Sequence, residues 1–410
     1  MPGFFLLALL ACLGVATWAG AFDEALAHYR ENRFAEALPL FERAAAGDPD
    51  DARVHLWLAD TYRRLGCRSE AIAAARRALE IDSCSSFAHV VLAGAYSPGA
   101  GMGAAGVVDS VWHHLLAAVQ CDSTDGNAWE YVVIESIRRG EPVMSRLSLR
   151  MLVRSGHLTP AALAYGRWLL RTLPDDAILL TNGDLDTYSA MAVQEVEGFR
   201  RDVVVAERGL IGVPWFLRSL RDRAGVPLPF ADAQLDTLST VVDAEGRTLR
   251  VSDRVLRGWL DQQECGELGR PVCLAVTVDE SFRAGIEKHL QDAGPFSIWR
   301  PAAVSGVPDT AAIRRSLVGI GDNEFGGPWA APGDRSPVHH VYSKRVVRTV
   351  TGTGLTYAEW LIRAGRTDEA EEVLEWAQRF ELRTELGPSL TREIANLRAA
   401  AAKRPGTIHR

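Results

Sequence analysis

Apolar and polar positions between Leu173 and Leu210 alternate as one strand–helix–strand unit. Ala177 to Leu180 is a short apolar run with the bulk of a buried strand, and Asn182-Gly183-Asp184 breaks it. Asp186 or Thr187 then caps a helix, Gly198 ends it, and Asp202 to Ala206 forms a second buried strand. Two apolar strands joined by a helix of about three turns predict a parallel pair with a right-handed crossover. Around this unit the pattern predicts a helix over Leu158–Leu173, another from Pro214 towards Arg223, and a hairpin over Thr240–Ser252 turning at Ala244-Glu245-Gly246. Then come a helix over Asp253–Gln263, a strand over Pro271–Val278, a helix over Ala284–Ala293 closed by Gly294, and a short strand over Phe296–Arg300. Strands alternating with helices predict an α/β domain over residues 158–305 with an open, mainly parallel sheet covered on both faces.

A different period governs residues 22–155. Phe34, Ala37, Phe41, Ala44 and Pro49 recur 34 residues later as Arg68, Ala71, Ala75, Ala78 and Ser83, and Leu58, Ala59, Tyr62 and Gly66 precede the second set. Small residues let two antiparallel helices approach closely, and aromatic ones fill the gap between neighbouring hairpins. A third unit places Leu92, Ala93 and Tyr96 on its first helix and Val111 and Ala118 on its second, with a Gly-rich insertion over Ser97–Gly106 between them. A degenerate fourth unit begins at Trp129 and turns at Gly140. This pattern resembles the tetratricopeptide repeat, which implies an α-solenoid of helical hairpins that binds a protein or peptide partner. Tyr357, Ala358, Gly365, Ala370, Leu374 and Ala377 return to it, so residues 341–400 read as a carboxy-terminal helical hairpin followed by a polar helix. Gly, Pro and short polar residues fill an irregular connection over 306–340.

A second resemblance lies in AILLTNGDLDTYSAMAVQEVEGFRRDVVV, Pro214-Trp215-Phe216 and Arg270-Pro271-Val272. These segments look like the soluble tail of uncharacterised bacterial multi-pass membrane proteins related to protein O-mannosyltransferases. The resemblance implies an extracytoplasmic module and carries over no transferase activity.

Composition narrows the classes. Hydrophobic residues make up 47% and charged residues 24%, which describes a globular chain. A formal charge of −7 with no offsetting basic run argues against nucleic acid as a partner. Arg-over-Lys usage and abundant Ala point to a bacterial source. Phe4 to Phe22 carries no charge and ends in Ala19-Gly20-Ala21, so residues 1–21 are expected to be a signal peptide or, if uncleaved, a membrane anchor. The expected location is extracytoplasmic, periplasmic or secreted. Cys67, Cys84, Cys121, Cys265 and Cys273 are odd in number, so at least one thiol stays unpaired; Cys265 and Cys273 flank a Gly-containing loop and could pair. Cys67 and Cys84 flank a helix too long to bridge.

Candidate chemistry falls in two places. On the first helices of the repeats, Leu56, Asp60, Arg63 and Arg64 of the second unit and Phe87 and Val90 of the third are expected to line a peptide groove. Two arginines beside apolar side chains suit an acidic or carboxylate-ended peptide. Neither arginine takes a repeat packing position, so replacing both is expected to leave the fold intact. In the α/β domain, the carboxyl ends of the strands carry Asn182, Asp184, Asp186, Glu207 and Asp279, with Glu280 beside it. If the three strands are parallel neighbours, five carboxylates gather at one edge, and Asp184-Leu185-Asp186 matches the D-x-D spacing that holds a divalent cation on a nucleotide sugar. The bland alternative is turn and helix-cap duty. No G-x-S-x-G, H-E-x-x-H or phosphate loop is present, and no catalytic residue is assigned. Gly101–Gly106 fits a dinucleotide pattern but follows a helix, and His113-His114 reads as one buried and one exposed helix residue. The leading expectation is an exported scaffold; the alternative is a cation-assisted enzyme or sugar-binding protein working from the acidic edge.

Overall fold

The computed structural model describes residues 20–97, 105–304, 306–318, 337–384 and 388–402. The expected signal segment through residue 19, most of the Gly-rich insertion and much of the irregular connection lie outside them. The chain divides into two compact units, up to Ser155 and from Gly156 onward.

The first unit is four helical hairpins: α1 (residues 20–30) with α2 (Phe34–Gly47), α3 (Ala52–Arg64) with α4 (Arg68–Ile81), α5 (Ser86–Tyr96) with α6 (Ala105–Cys121), and α7 (Gly126–Arg139) with α8 (Pro142–Arg154). The sequence writes the starts with short polar residues: Asp51 accepts from the Arg53 amide, Ser85 from Ala88, and Asp125 from Asn127 and Ala128. Gly140 ends α7 at φ 70°, the left-handed conformation a side chain disfavours. Ala37, Ala44, Ala59, Ala71, Ala75, Ala78 and Ala118 are fully buried, and Phe41 fills the space between α2 and its neighbours. The Ala positions and Phe41 expected from the 34-residue period are thus packing positions, whereas Pro49, Arg68 and Ser83 are exposed.

The α5–α6 hairpin carries two cross-links. Cys84, just before α5, is bonded to Cys121, the last residue of α6, with Cα atoms 5.1 Å apart. The Cys265–Cys273 pairing that the sequence left open does not form: Cys265 is exposed after α13 (Val251–Glu264), while Cys273 is sealed inside β5 (Val272–Ala275), and both are free thiols. Farther along the hairpin, His89 and His114 face each other with their Nδ1 atoms 3.0 Å apart, and Tyr96 stacks on His114. His113 is exposed.

The second unit holds a five-stranded sheet in the order β2-β1-β5-β7-β6. α9 (Pro160–Arg171) leads into β1 (Ile178–Thr181), α10 (Asp184–Glu197) and β2 (Val204–Glu207). β1 is flanked in parallel by β2 and β5, Leu179 lying opposite both Val205 and Cys273. α11 (Pro214–Ala224), α12 (Asp232–Leu235), the small hairpin β3 (Val241–Val242) and β4 (Thr248–Leu249), and α13 fill the crossover from β2 to β5. The predicted helix over Ala284–Ala293 is not formed. α14 (Glu280–Arg283) is a single turn, and Leu290–Asp292 is β6, paired antiparallel with β7 (Phe296–Trp299). Ile286, Leu290 and Ala293 are spaced like a helix face, but Gly285 at φ 83° breaks the run. As a short edge strand, β6 needs no apolar alternation. The sheet is therefore parallel at β2-β1-β5 and antiparallel at β7-β6.

α10 begins at Asp184, with Gly183 before it at φ 90°, so neither Asp186 nor Thr187 is the cap. α15 (Thr310–Val318), α16 (Pro337–Arg363), α17 (Thr367–Thr384) and α18 (Pro388–Ala402) follow. α16 starts at Pro337, taking up the end of the expected connection, and packs on α9. Gly365 turns α16 into α17 at φ 77°, and Ala358, Ala370, Leu374 and Ala377 are fully buried between them, as the repeat pattern expects.

Candidate functional site

Three successive first helices place aromatic rings edge to face: Tyr29 of α1 lies 4.9 Å from Trp57 of α3, and Trp57 5.4 Å from Phe87 of α5. Beneath this ladder Asp60 of α3 is 2% exposed. A carboxylate buried so deeply needs partners to offset its lost hydration, and it has three. Tyr29 donates its hydroxyl to Oδ2 of Asp60, Arg63 Nε donates to Oδ1 at 2.6 Å, and Arg64 Nε lies 3.4 Å from Oδ2. Burial, then the bond to Asp60 and its charge, push the Tyr29 phenol up to about 12. Two guanidiniums against one carboxylate leave the cluster net positive.

Of the expected groove residues, Asp60, Arg63 and Arg64 come together, but as a cluster anchored from inside. Asp60 does not line a surface. Arg63 runs its stem against Gly94, where a Cβ would meet its Cδ at 3.2 Å. Arg64 keeps 49% of its side chain exposed, with its guanidinium 5.8 Å from the Phe34 ring. Phe87 is half-buried in the ladder, and Leu56 and Val90 are also half-buried. Tyr29, Phe34 and Trp57 as members of the face went unassigned in the sequence. The signal was there in the return of an aromatic at 29, 57 and 87.

At the carboxyl end of the parallel strands, the acidic residues do not converge. Asp186 of α10 turns inward, 3% exposed. It accepts from the Tyr165 hydroxyl of α9 at 3.0 Å, from the Asn182 amide at 3.2 Å and from the Thr277 hydroxyl. Burial nonetheless raises its carboxyl above the ordinary range, outweighing those three bonds. The Asn182 side chain donates to the Thr277 carbonyl at 2.8 Å, closing a network that ties β1, α9 and the chain after β5. Glu207 accepts from the Leu210 amide at 2.8 Å. Asp279 caps α14, pairs with Arg208 across the end of β1, and has its carboxyl held down first by the Ser281 hydroxyl. Asp184 is exposed in the first turn of α10. The strands are parallel neighbours as expected, yet the five carboxylates do not gather: Asp186 turns to Tyr165 and Thr277, Glu207 to the Leu210 amide, and Asp279 to Ser281 and Arg208. Among the described residues no group of three or more His, Cys, Asp or Glu side chains is placed to hold a metal ion. None of the described helices is long and apolar enough to cross a membrane.

Family models match two parts of the chain: the tetratricopeptide repeat over residues 22–84, and TMEM260-associated domain 2 over residues 162–237. No curated protein matches. Among solved structures, a thermophilic tetratricopeptide-repeat protein of Thermus thermophilus is similar at 16% identity, covering 54% of this chain and 95% of that one, with a TM-score of 0.33. MamA is similar at 14% identity, covering 49% of this chain and 95% of that one, with a TM-score of 0.30. The chain is thus an α-solenoid of tetratricopeptide-type hairpins followed in sequence by an α/β domain and a carboxy-terminal helical hairpin.

Proposed function

We propose that the chain is an exported scaffold that holds an acidic or carboxylate-ended peptide on the first-helix face of its repeats. The observation that carries this reading is the Asp60 cluster. A buried carboxylate fixes two arginines from below, and the exposed half of Arg64 is left facing solvent beside an aromatic ladder. A guanidinium already ordered loses less freedom when it grips a carboxylate. The aromatic rings offer apolar area at low entropic cost next to that charge. Tetratricopeptide hairpins commonly present such a face to protein partners, which supports a peptide rather than nucleic acid as occupant.

Export is supported by the Cys84–Cys121 bond, since disulfides persist in oxidising compartments, and by the uncharged amino-terminal run. The match of residues 162–237 to TMEM260-associated domain 2 agrees with the reading of this region as a soluble module that accompanies membrane proteins elsewhere. We assign it no transferase activity. Selection of displayed peptides with free carboxy termini on the full chain tests the proposal. It predicts enrichment of Asp, Glu and a free terminal carboxylate; selection that yields no binder, or yields basic peptides, contradicts it.

A further inference from the structure

A pocket of about 480 Å³ opens at the outer edge of β2, away from the carboxyl end of the sheet. Its floor is Val203, Val204 and Val205. Met191 and Gln194 of α10 stand on one side, Arg223 and Ala224 of α11 on another, and Arg201 and Arg270 complete the rim with Asp176 and Asp202. The volume lies within the ordinary range of small-molecule sites.

The parallel register decides what the floor presents. Val204 and Arg208 donate their amides to β1, at Ala177 and Thr181, so the backbones of Val203, Val205 and Glu207 point the other way. The Val203 amide bonds Arg200, and its carbonyl accepts from the Gln194 side chain at 2.8 Å. Val205 has no such partner on that side among the described residues, and it turns a donor and an acceptor to the pocket.

The charges on the rim are unequally engaged. Asp202 is chelated by Arg200 at 2.9 and 2.7 Å, and that bond, as the largest cause, holds its carboxyl down at about 2. The Asp176 carboxylate lies 3.7 Å from Arg270, whose two Nη atoms are committed to the carbonyls of Asp176, Asp202 and Ala224. Arg201 gives Nε and Nη2 to the Gln194 and Glu195 carbonyls and keeps Nη1. Arg223 is different. Among the described residues its guanidinium has no hydrogen bond and no carboxylate; it only lies 6.0 Å from the Phe216 ring. Arg223 is exposed at the rim, so its guanidinium is open to a ligand arriving from solvent. With Arg201 and Arg270 also on the rim and Asp202 already chelated by Arg200, the charges left facing the pocket favour an anion.

We propose that this pocket binds a small ligand through an oxyanion, carboxylate or phosphate, held by Arg223 with Nη1 of Arg201, while the Val205 backbone takes a hydrogen bond from the rest of the molecule. Because Arg223 lies on the rim and its guanidinium holds no partner, Arg223→Gln leaves the fold intact.

Calorimetric titration of the full chain with inorganic phosphate and, separately, with glutarate tests the site, and thermal melting of each variant monitors folding. The expected result is saturable binding of at least one probe, weakened about tenfold or more by Arg223→Gln, since one charge-assisted bond carries that much. It is weakened to a smaller degree by Arg201→Gln and unchanged by Arg64→Ala, which separates this pocket from the repeat face. Phosphate alone or glutarate alone identifies the source of the oxyanion. Binding of neither probe at millimolar concentration overturns the proposal, as does equal binding by wild type and Arg223→Gln. Should Arg223→Gln melt, binding by Arg201→Gln equal to wild type overturns it in the same way.

Discussion

Gly166 of α9 faces the Ser189 carbonyl of α10 so closely that a Cβ at position 166 would fall inside 3.0 Å of it. Both residues sit mid-helix and buried, so neither backbone has room to retreat. Ordinarily Ala stabilises a helix relative to Gly. Here the steric term wins, and Gly166→Ala is expected to destabilise the second unit by about 1–3 kcal/mol. Urea unfolding followed by far-UV circular dichroism measures it; an unchanged or higher midpoint would contradict the close approach.

The Asp60 cluster reverses one expectation drawn from the sequence. Removing Arg63 and Arg64 together strips both guanidiniums from a carboxylate that is 2% exposed. Breaking a buried pair while leaving one charge in place costs about 3–5 kcal/mol. The double alanine variant is therefore expected to unfold early, whereas Arg64→Ala leaves Asp60 with Arg63 and Tyr29 and melts close to wild type. Differential scanning calorimetry separates the two; equal melting of both variants would show that the arginines do not hold Asp60.

Acid is expected to loosen the α5–α6 hairpin. Burial first, then the proximity of His89, His113 and Arg76, depresses His114 to about 4, below the usual histidine range near 6.5. The folded state then holds fewer protons than the unfolded chain between these values. Stability contributed by this group is full above about pH 6.5 and is lost as pH falls towards 4. His114→Gln should flatten that part of the melting curve against pH; an unaltered slope would assign it elsewhere.

Bonding of Cys84 to Cys121 closes a loop across 37 positions of sequence separation. Cys84→Ser plus Cys121→Ser is expected to lower stability by about 2–4 kcal/mol. Non-reducing peptide mass spectrometry should show these two cysteines linked. Cys265, exposed, should label with maleimide in the native protein, and buried Cys273 only after denaturation. A linked Cys265–Cys273 peptide would refute the assignment.

Much of the fold was legible because its elements carry local signals. The 34-residue return of Ala and aromatic positions specifies the hairpins, and Gly140, Gly198 and Gly365 mark turns at positive φ. The Leu-rich and Val-rich runs of β1, β2 and β5 are buried on both faces, as parallel strands require. β6 was not legible: a three-residue edge strand is written by its partner, not by its own period. The sites were less legible than the fold. Residue type placed Asp60 and Asp186 at the right elements, but whether a carboxylate points out or in depends on donors far away in sequence, Tyr29 in one case and Tyr165 and Thr277 in the other. The same holds for Arg223, whose lack of a hydrogen-bond partner among the described residues is visible only in three dimensions.

The central claim is that the Asp60-anchored face of the repeats binds a carboxylate, with Arg64 in direct contact. Fluorescence anisotropy of a selected peptide against wild type and Arg64→Ala, with the peptide's acidic group free or amidated, tests it most directly. The expected loss is about 1.5–3 kcal/mol for Arg64→Ala with the free acid, and little further loss when the amidated peptide meets that variant, because both changes delete the same charge-assisted bond. Equal affinity of folded Arg64→Ala and wild type for the acidic peptide would contradict the claim.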